Sequence, residues 1–167
     1  MLKPVSAAFV LTLSVATSAL AQSTVFLVRH AERADSAPGK SLSMTSDPDL
    51  SDAGRVRAES LAAMLKDAGI TTIVVTEYKR TQQTAAPLAR LLGITPTTIK
   101  AADTAGLAAA LAARQGNALV VGHSNTTVAA IKALGVAADV SIGEDEFDNL
   151  FVVATGSPAT LVRLHYK

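Results

Sequence analysis

Two histidines and two arginines occupy positions from which their side chains could act together on a phosphate group. Arg29 and His30 directly follow one apolar run, His123 follows a second, and Arg80 lies a few residues after a third. If these runs are parallel strands, their carboxyl ends meet at one edge of the sheet, where open α/β sheets bind ligands. A neutral imidazole is a nucleophile near pH 7, and a guanidinium matches tetrahedral oxyanions. We therefore expect one phosphate site that contains all four side chains.

The apolar runs that precede these residues are short and rich in β-branched side chains, which is typical of buried strands. They cover residues 25–28, 72–76 and 118–122. Helical patterns and turn residues separate them, so the chain alternates strand and helix. This alternation predicts an α/β fold of three layers, α/β/α, with a mainly parallel sheet and an antiparallel end. The expected helices begin near Ser51 and cover 79–92, 104–114 and 125–134, and the remaining expected strands cover 97–99, 150–154 and 160–164, the last two joined by a hairpin turn at 156–158.

Four short motifs, in this order along the chain, resemble those of the histidine phosphatase superfamily, also called phosphoglycerate-mutase-like. They are Val-Arg-His-Ala-Glu at 28–32, Leu50-Ser51 with Gly54, Arg-Thr-x-Gln-Thr-Ala at 80–85, and Val-Gly-His-Ser-Asn-Thr at 121–126. The resemblance extends over nearly all of residues 22–167 and is strongest to small, secreted bacterial members. It implies that the chain has a phosphoglycerate-mutase-like fold and that its activity is that of a histidine phosphatase, which is a phosphoric monoester hydrolase.

The resemblance also implies a role for each matching residue. His30 would be the nucleophile that carries the phosphoryl group as phosphohistidine, which splits one difficult displacement into two easier ones. Arg29 and Arg80 would hold the phosphoryl oxygens, and His123 would donate to one of them. The family pattern leaves Arg33 open, because it could equally reach the phosphate or lie solvated on a loop.

The proton donor for the leaving group is not identified by the motifs. One branch of the family carries an aspartate directly after its second histidine, and here that position is Ser124. Glu77 is our candidate for the acid because it lies at a strand end just before Arg80, whereas pairing with Arg80 or Lys79 would give it a structural role only. Asp145 or Glu146 would be the alternatives.

Two local features concern the surroundings of the site. Residues 34–50 show no sustained period and contain turn residues, so we interpret them as a flap over the site or, equally, a surface loop. Pro87 lies inside the helix expected over 79–92, and a proline removes a helical hydrogen bond. We therefore expect a kink, or a fresh helix start, near Ala85.

The composition bounds the location and partners of the protein. A leading Lys3, an apolar run and the end Ala19-Leu20-Ala21 predict a cleaved signal peptide at 1–21, followed by a single domain at 22–167 that is periplasmic or secreted and not stably anchored to a membrane. The remaining residues include 14 basic and 14 acidic side chains, so charge gives no argument for binding nucleic acid. The expected partner is a phosphorylated small molecule or macromolecule.

Two other functions compete with a metal-independent phosphatase. The chain has no cysteine, and a metal site built on the two histidines would need a third ligand and would face repulsion from the guanidiniums, so we expect no metal and no other cofactor. A domain that binds phosphate or a phosphorylated ligand without turnover would keep the arginines. The intact pair Arg29-His30 favours the enzyme, since a binding domain needs no nucleophile.

Overall fold

The computed structural model of the protein describes residues 23–35 and 47–167. The predicted signal peptide and most of the predicted flap lie outside these residues. Within them, no helix combines the length and apolar character needed to cross a membrane. The strands are β1 (Thr24–Arg29), β2 (Ile70–Thr76), β3 (Thr97–Ile99), β4 (Asn117–Gly122), β5 (Asn149–Ala154) and β6 (Thr160–His165), and the helices are α1 (Asp52–Leu65), α2 (Lys79–Leu92), α3 (Thr104–Ala113) and α4 (Ser124–Ala133).

The strands form one six-stranded sheet in the order β3-β2-β4-β1-β5-β6. The pairs β2–β3, β2–β4 and β1–β4 are parallel, whereas β5 runs antiparallel to β1 and β6 antiparallel to β5. The predicted mainly parallel sheet with an antiparallel end is therefore confirmed. Because β1, β2 and β4 are mutually parallel, the residues that follow them lie at one edge of the sheet.

Side chains that alternate along each strand build a core on both faces of the sheet. On β1, Leu27 packs on one face in a cluster with Leu111 of α3 and Ile131 of α4. Val28 packs on the other face in a cluster with residues of α1 and α2, including Leu61. The layers are therefore α/β/α, as the sequence predicts.

The fresh helix start expected near Ala85 is wrong. A single helix, α2, runs through Pro87. Ala85, Pro87 and Leu88 are all buried, and their packing against the sheet compensates for the hydrogen bond that proline cannot donate, whose loss costs about 3 kcal/mol in an unsupported helix. The helix ends at Gly93, which has a φ of 67°; this left-handed conformation favours glycine.

Candidate active site

The sheet brings the predicted site residues to its carboxyl edge. Arg29 is the last residue of β1 and His30 follows it, while His123 follows β4 and Arg80 lies in the first turn of α2, just after β2. The His30 N–H donates to the Gly122 carbonyl over 2.9 Å, which fixes the end of β1 beside the end of β4. The two histidines and two arginines are thus neighbours in space, although Arg29 and His123 are 94 positions apart in the sequence.

His30 is held in one orientation by its own backbone environment. Its ring is 4 % exposed, and Nδ1 lies 2.8 Å from the carbonyl oxygen of Ala31. A carbonyl oxygen only accepts, so Nδ1 carries the hydrogen and Nε2 keeps its lone pair. Burial and the neighbouring positive charges lower the pKa of His30 to about 3. The imidazole is therefore neutral near pH 7, with Nε2 available as a nucleophile.

His123 lies against His30 and contacts two other polar groups. The ring centroids of the histidines are 5.3 Å apart. Nε2 of His123 is 3.1 Å from Thr76 Oγ1, and Nδ1 is 3.5 Å from Nη2 of Arg80. Arginine only donates, so Nδ1 accepts and Nε2–H donates to the threonine hydroxyl. Burial and the charges of Arg80, Arg29 and Arg33 lower the pKa of His123 to about 4.

Arg80 is completely buried at the site and stacks on an aromatic ring. Its Cζ lies 4.1 Å from the ring centroid of Tyr78, and the Tyr78 ring in turn meets His123 edge to face at 5.3 Å. Asp47 approaches from outside, with its Oδ1 3.7 Å from Nη1 of Arg80. The guanidinium is thus held in place by an aromatic face and a carboxylate.

Arg29 is bound by the backbone of the segment that precedes β5. Its Nη1 donates to the carbonyl oxygens of Gly143 over 2.8 Å and of Glu144 over 2.6 Å. Its Cζ lies 4.3 Å from the ring centroid of Phe147, and that ring is 6.1 Å from His30. Arg29 and Arg80 therefore each have an aromatic partner that also packs on a histidine.

Arg33 lies inside the site region rather than on a solvated loop. It is 3 % exposed, and its Nε and Nη2 donate to the two carboxylate oxygens of Asp35 over 2.9 and 2.7 Å. Its charge contributes to the low pKa of His123. Arg33 therefore adds positive potential to the pocket, and its donors already bind a carboxylate.

Glu77 is exposed and binds a backbone N–H of the segment after β3. Its carboxylate accepts the Ala101 N–H over 2.7 Å. Lys79 pairs with Asp49 instead, and Arg80 pairs with Asp47. Glu77 thus fastens the segment after β3, and no contact in the described part of the chain brings it to either histidine.

The two alternative acids lie near Arg29 rather than near the histidines. Glu146 Oε2 accepts from the Gly143 N–H, from Asn149 and from Arg163. Asp145 is exposed, and its charge raises the pKa of Arg29 against the larger lowering effect of burial. All 14 Asp and Glu side chains belong to the described residues, and none of them forms a hydrogen bond or ion pair with His30 or His123.

Sequence reasoning missed three residues of the site. Tyr78 and Phe147 contact its arginines and histidines, and Thr76 receives the hydrogen bond from His123. The signal for Phe147 was a lone aromatic residue inside an acidic stretch, and for Tyr78 an aromatic residue two positions before Arg80. In residues 23–35 and 47–167, no group of three or more His, Asp or Glu side chains is placed to hold a metal ion.

Comparison with known proteins gives one family and many solved structures. Residues 25–103 match the family model of the histidine phosphatase superfamily (branch 1). A search of the curated proteins finds no significant match. A mycobacterial glucosyl-3-phosphoglycerate phosphatase, solved with VO₃, has a TM-score of 0.68 at 16 % identity and covers 84 % of this chain and 97 % of its own.

Two further structures have the same fold. One is described as a candidate phosphohistidine phosphatase, SixA, from Agrobacterium tumefaciens; it has a TM-score of 0.61 at 24 % identity and covers 85 % of this chain and 97 % of its own. The other is described as a candidate alpha-ribazole-5'-P phosphatase from Escherichia coli K-12; it has a TM-score of 0.69 at 16 % identity, with 86 % and 96 % covered. The fold of this chain is therefore phosphoglycerate-mutase-like.

Proposed function

The chain belongs to the histidine phosphatase superfamily, and we propose that it is a phosphatase that hydrolyses phosphomonoesters through a phosphohistidine on His30. The observation that carries this proposal is the contact of His30 Nδ1 with the Ala31 carbonyl at 2.8 Å. It leaves Nε2 unprotonated, in a pocket that also contains Arg29, Arg80 and His123.

The proposed reaction has two displacements at phosphorus. His30 Nε2 attacks the phosphoryl group in line, so a P–N bond forms as the P–O bond to the leaving group breaks, and the leaving oxygen takes up a proton from solvent. Water then attacks the phosphohistidine and gives a proton back to solvent, the P–N bond breaks, and inorganic phosphate leaves with the water oxygen. Phosphoryl transfer depends mainly on positioning and charge stabilisation, which suits a site rich in fixed cations.

The arginines would supply that stabilisation in the proposed site. Arg29 and Arg80 each have one guanidinium face covered by an aromatic ring. The N–H edges are the parts that bind phosphate oxygens. A bound phosphoryl group would bind Nη2 of Arg80 and break its contact with His123 Nδ1. The negative charge of the phosphoryl group would then favour protonation of His123 Nδ1. His123 would then donate to an equatorial oxygen.

The substrate is proposed only by class, as a phosphorylated small molecule or macromolecule. Two of the similar structures carry the names of phosphatases for small phosphorylated molecules, and a third is described as a candidate phosphohistidine phosphatase. These names favour a phosphatase and do not select among substrates, because the identities are low.

The test is chemical trapping of the intermediate. The purified protein is mixed with para-nitrophenyl phosphate and with a ³²P-labelled phosphomonoester in the presence of EDTA, then denatured. We expect turnover and an acid-labile, alkali-stable label that the variant His30→Ala does not form, while the control variant His165→Ala, on exposed β6, still forms it. Label on serine, or activity lost on chelation, would contradict the proposal. Tight phosphate binding with no turnover by the wild-type protein would support the binding domain instead.

A further inference from the structure

We infer that the segment 143–147 is a positioning element for Arg29 and that the side chain of Glu146 holds this segment in shape. The inference rests on the proposed function, because it concerns an arginine that would bind the phosphoryl group. None of the four sequence motifs includes this segment, which lies between α4 and β5. Its residues reach the site only through the tertiary structure.

The backbone of the segment accepts hydrogen bonds from both N–H groups of one nitrogen of Arg29. Nη1 lies 2.8 Å from the carbonyl oxygen of Gly143, 2.6 Å from that of Glu144 and 3.5 Å from that of Glu146. Two N–H groups on Nη1 therefore already have acceptors. The donors that remain for a phosphoryl group are on Nε and Nη2, which form one edge of the planar guanidinium.

Phe147 fixes the plane of the same guanidinium. Its ring is 9 % exposed and lies 4.3 Å from Cζ of Arg29. Stacking occupies the face of a guanidinium and leaves its N–H edge available. The ring also packs 6.1 Å from His30. Carbonyls and ring together therefore fix the rotation and the tilt of Arg29 relative to the nucleophile.

Glu146 links this segment to the antiparallel end of the sheet. Its Oε2 accepts the Gly143 N–H over 3.0 Å, the Asn149 amide over 3.2 Å and Arg163 Nη2 over 3.0 Å. Arg163 Nε also donates to Asn149 Oδ1 over 2.7 Å. One carboxylate oxygen thus joins the first residue of the segment to β5 and β6, so the Gly143 carbonyl is held where Arg29 needs it.

The role of Glu146 is positioning and not proton donation. The Gly143 N–H, with Asn149 and Arg163, holds the pKa of the Glu146 carboxyl below its usual range. A carboxylate that accepts three hydrogen bonds is ionised near pH 7 and has no proton to give. Glu146 therefore affects the reaction by fixing the position of the segment, which in turn positions Arg29.

Variants of Glu146 and its neighbour Asp148 test the inference. We expect Glu146→Ala and Phe147→Leu to lower kcat/KM about 10- to 100-fold, because small misplacements of a clamping group have effects of this size. Inorganic phosphate should inhibit these variants more weakly by a similar factor. Asp148→Ala is the matched control: Asp148 is similarly exposed and its carboxylate also contacts a basic side chain on β6, that of His165, but does not contact the segment's backbone. It should change kcat/KM less than about 3-fold.

The conservative variant separates positioning from acid catalysis. Glu146→Gln keeps an oxygen that can accept the Gly143 N–H, so it should recover most of the activity lost in Glu146→Ala, equally for alkyl and para-nitrophenyl phosphates. Wild-type levels in Glu146→Ala and Phe147→Leu, or a loss in Glu146→Gln confined to alkyl phosphates, would overturn the inference. Melting curves confirm that each variant is folded. Failure of the proposed function is distinguishable, because then the wild-type protein would itself be inactive.

Discussion

The imidazole rings of His30 and His123 meet edge to face, with centroids 5.3 Å apart and an angle of 66° between their planes. Both residues are 4 % exposed, and the charges of Arg29 and Arg80 lower the pKa of each. Two imidazoles so close to each other and to arginines cannot both carry a positive charge at low cost. Without a ligand, the site therefore contains two neutral histidines close to positively charged arginines, and this net positive charge favours the binding of an anion.

The first prediction concerns acid stability. Burial and nearby positive charge lower the folded-state pKa values of His30 to about 3 and of His123 to about 4, below the unfolded value of 6.5. Between these limits the unfolded chain binds more protons, so the free energy of unfolding should fall as the pH drops from about 6.5 towards 4. Each histidine contributes at most about 1.4 kcal/mol per pH unit.

Urea unfolding at pH 7, 6, 5 and 4 measures this slope. The double variant His30→Asn/His123→Asn removes both groups and should flatten the slope over this range. A slope that is unchanged in the double variant would show that other groups cause the acid sensitivity. Added inorganic phosphate should stabilise the wild-type protein and leave the double variant less affected.

The second prediction concerns the buried arginine of α2. Arg80→Ala should lower kcat/KM about 10²- to 10³-fold, the usual cost of removing one donor that stabilises transition-state charge. Arg90→Ala is the matched control, because Arg90 lies on the same helix but is exposed and pairs only with Glu59 among the described residues. Steady-state kinetics on para-nitrophenyl phosphate decides the question. Similar losses in both variants would place Arg80 outside the site.

The third prediction concerns Glu77. Its carboxylate binds the Ala101 N–H at the surface. The amide oxygen of the variant Glu77→Gln can still accept this hydrogen bond. We therefore expect Glu77→Gln to change the rates of hydrolysis of alkyl and para-nitrophenyl phosphates equally, and by less than about 3-fold. A general acid would give another result: strong slowing of alkyl phosphates only, since nitrophenolate leaves unaided. Parallel assays of the two substrates distinguish these outcomes and would restore Glu77 as the acid if only alkyl phosphates slow.

The fourth prediction concerns a glycine that lies under the first motif. A Cβ added at Gly54 would lie 2.2 Å from the carbonyl oxygen of Glu32, whose backbone cannot yield without moving the segment after His30. Gly54→Ala should therefore destabilise the protein by about 1–3 kcal/mol, as overpacking does, and reduce activity.

Gly106→Ala is the control for that substitution. Both glycines are the third helical residue after an N-cap, Ser51 in α1 and Asp103 in α3, and both N–H groups bind the cap side chain. At Gly106, however, the three atoms nearest to the added Cβ all belong to the Asp103 side chain, which can rotate. Thermal melts should show a large loss for Gly54→Ala and a small change for Gly106→Ala. Equal losses would attribute the effect to the caps.

The sequence by itself determined the elements of the fold and four side chains of the site. Short β-branched runs and helical periods are local signals, so they located the strands and helices to within a residue or two. Arg29, His30, Arg80 and His123 could be placed together because parallel strands end at one edge of a sheet. The order of the elements alone brings these strand ends together, whatever the packing of the side chains.

Only the tertiary structure decided what surrounds these four residues. The Glu77 carboxylate binds the backbone N–H of Ala101, and Arg33 is buried by packing inside the site. Arg29 is bound by carbonyl oxygens more than a hundred positions away in the sequence. The continuous helix through Pro87 likewise follows from burial against the sheet. Such contacts join residues that are distant in the chain, and their geometry is set by the summed packing of the fold, which no local pattern of residues encodes.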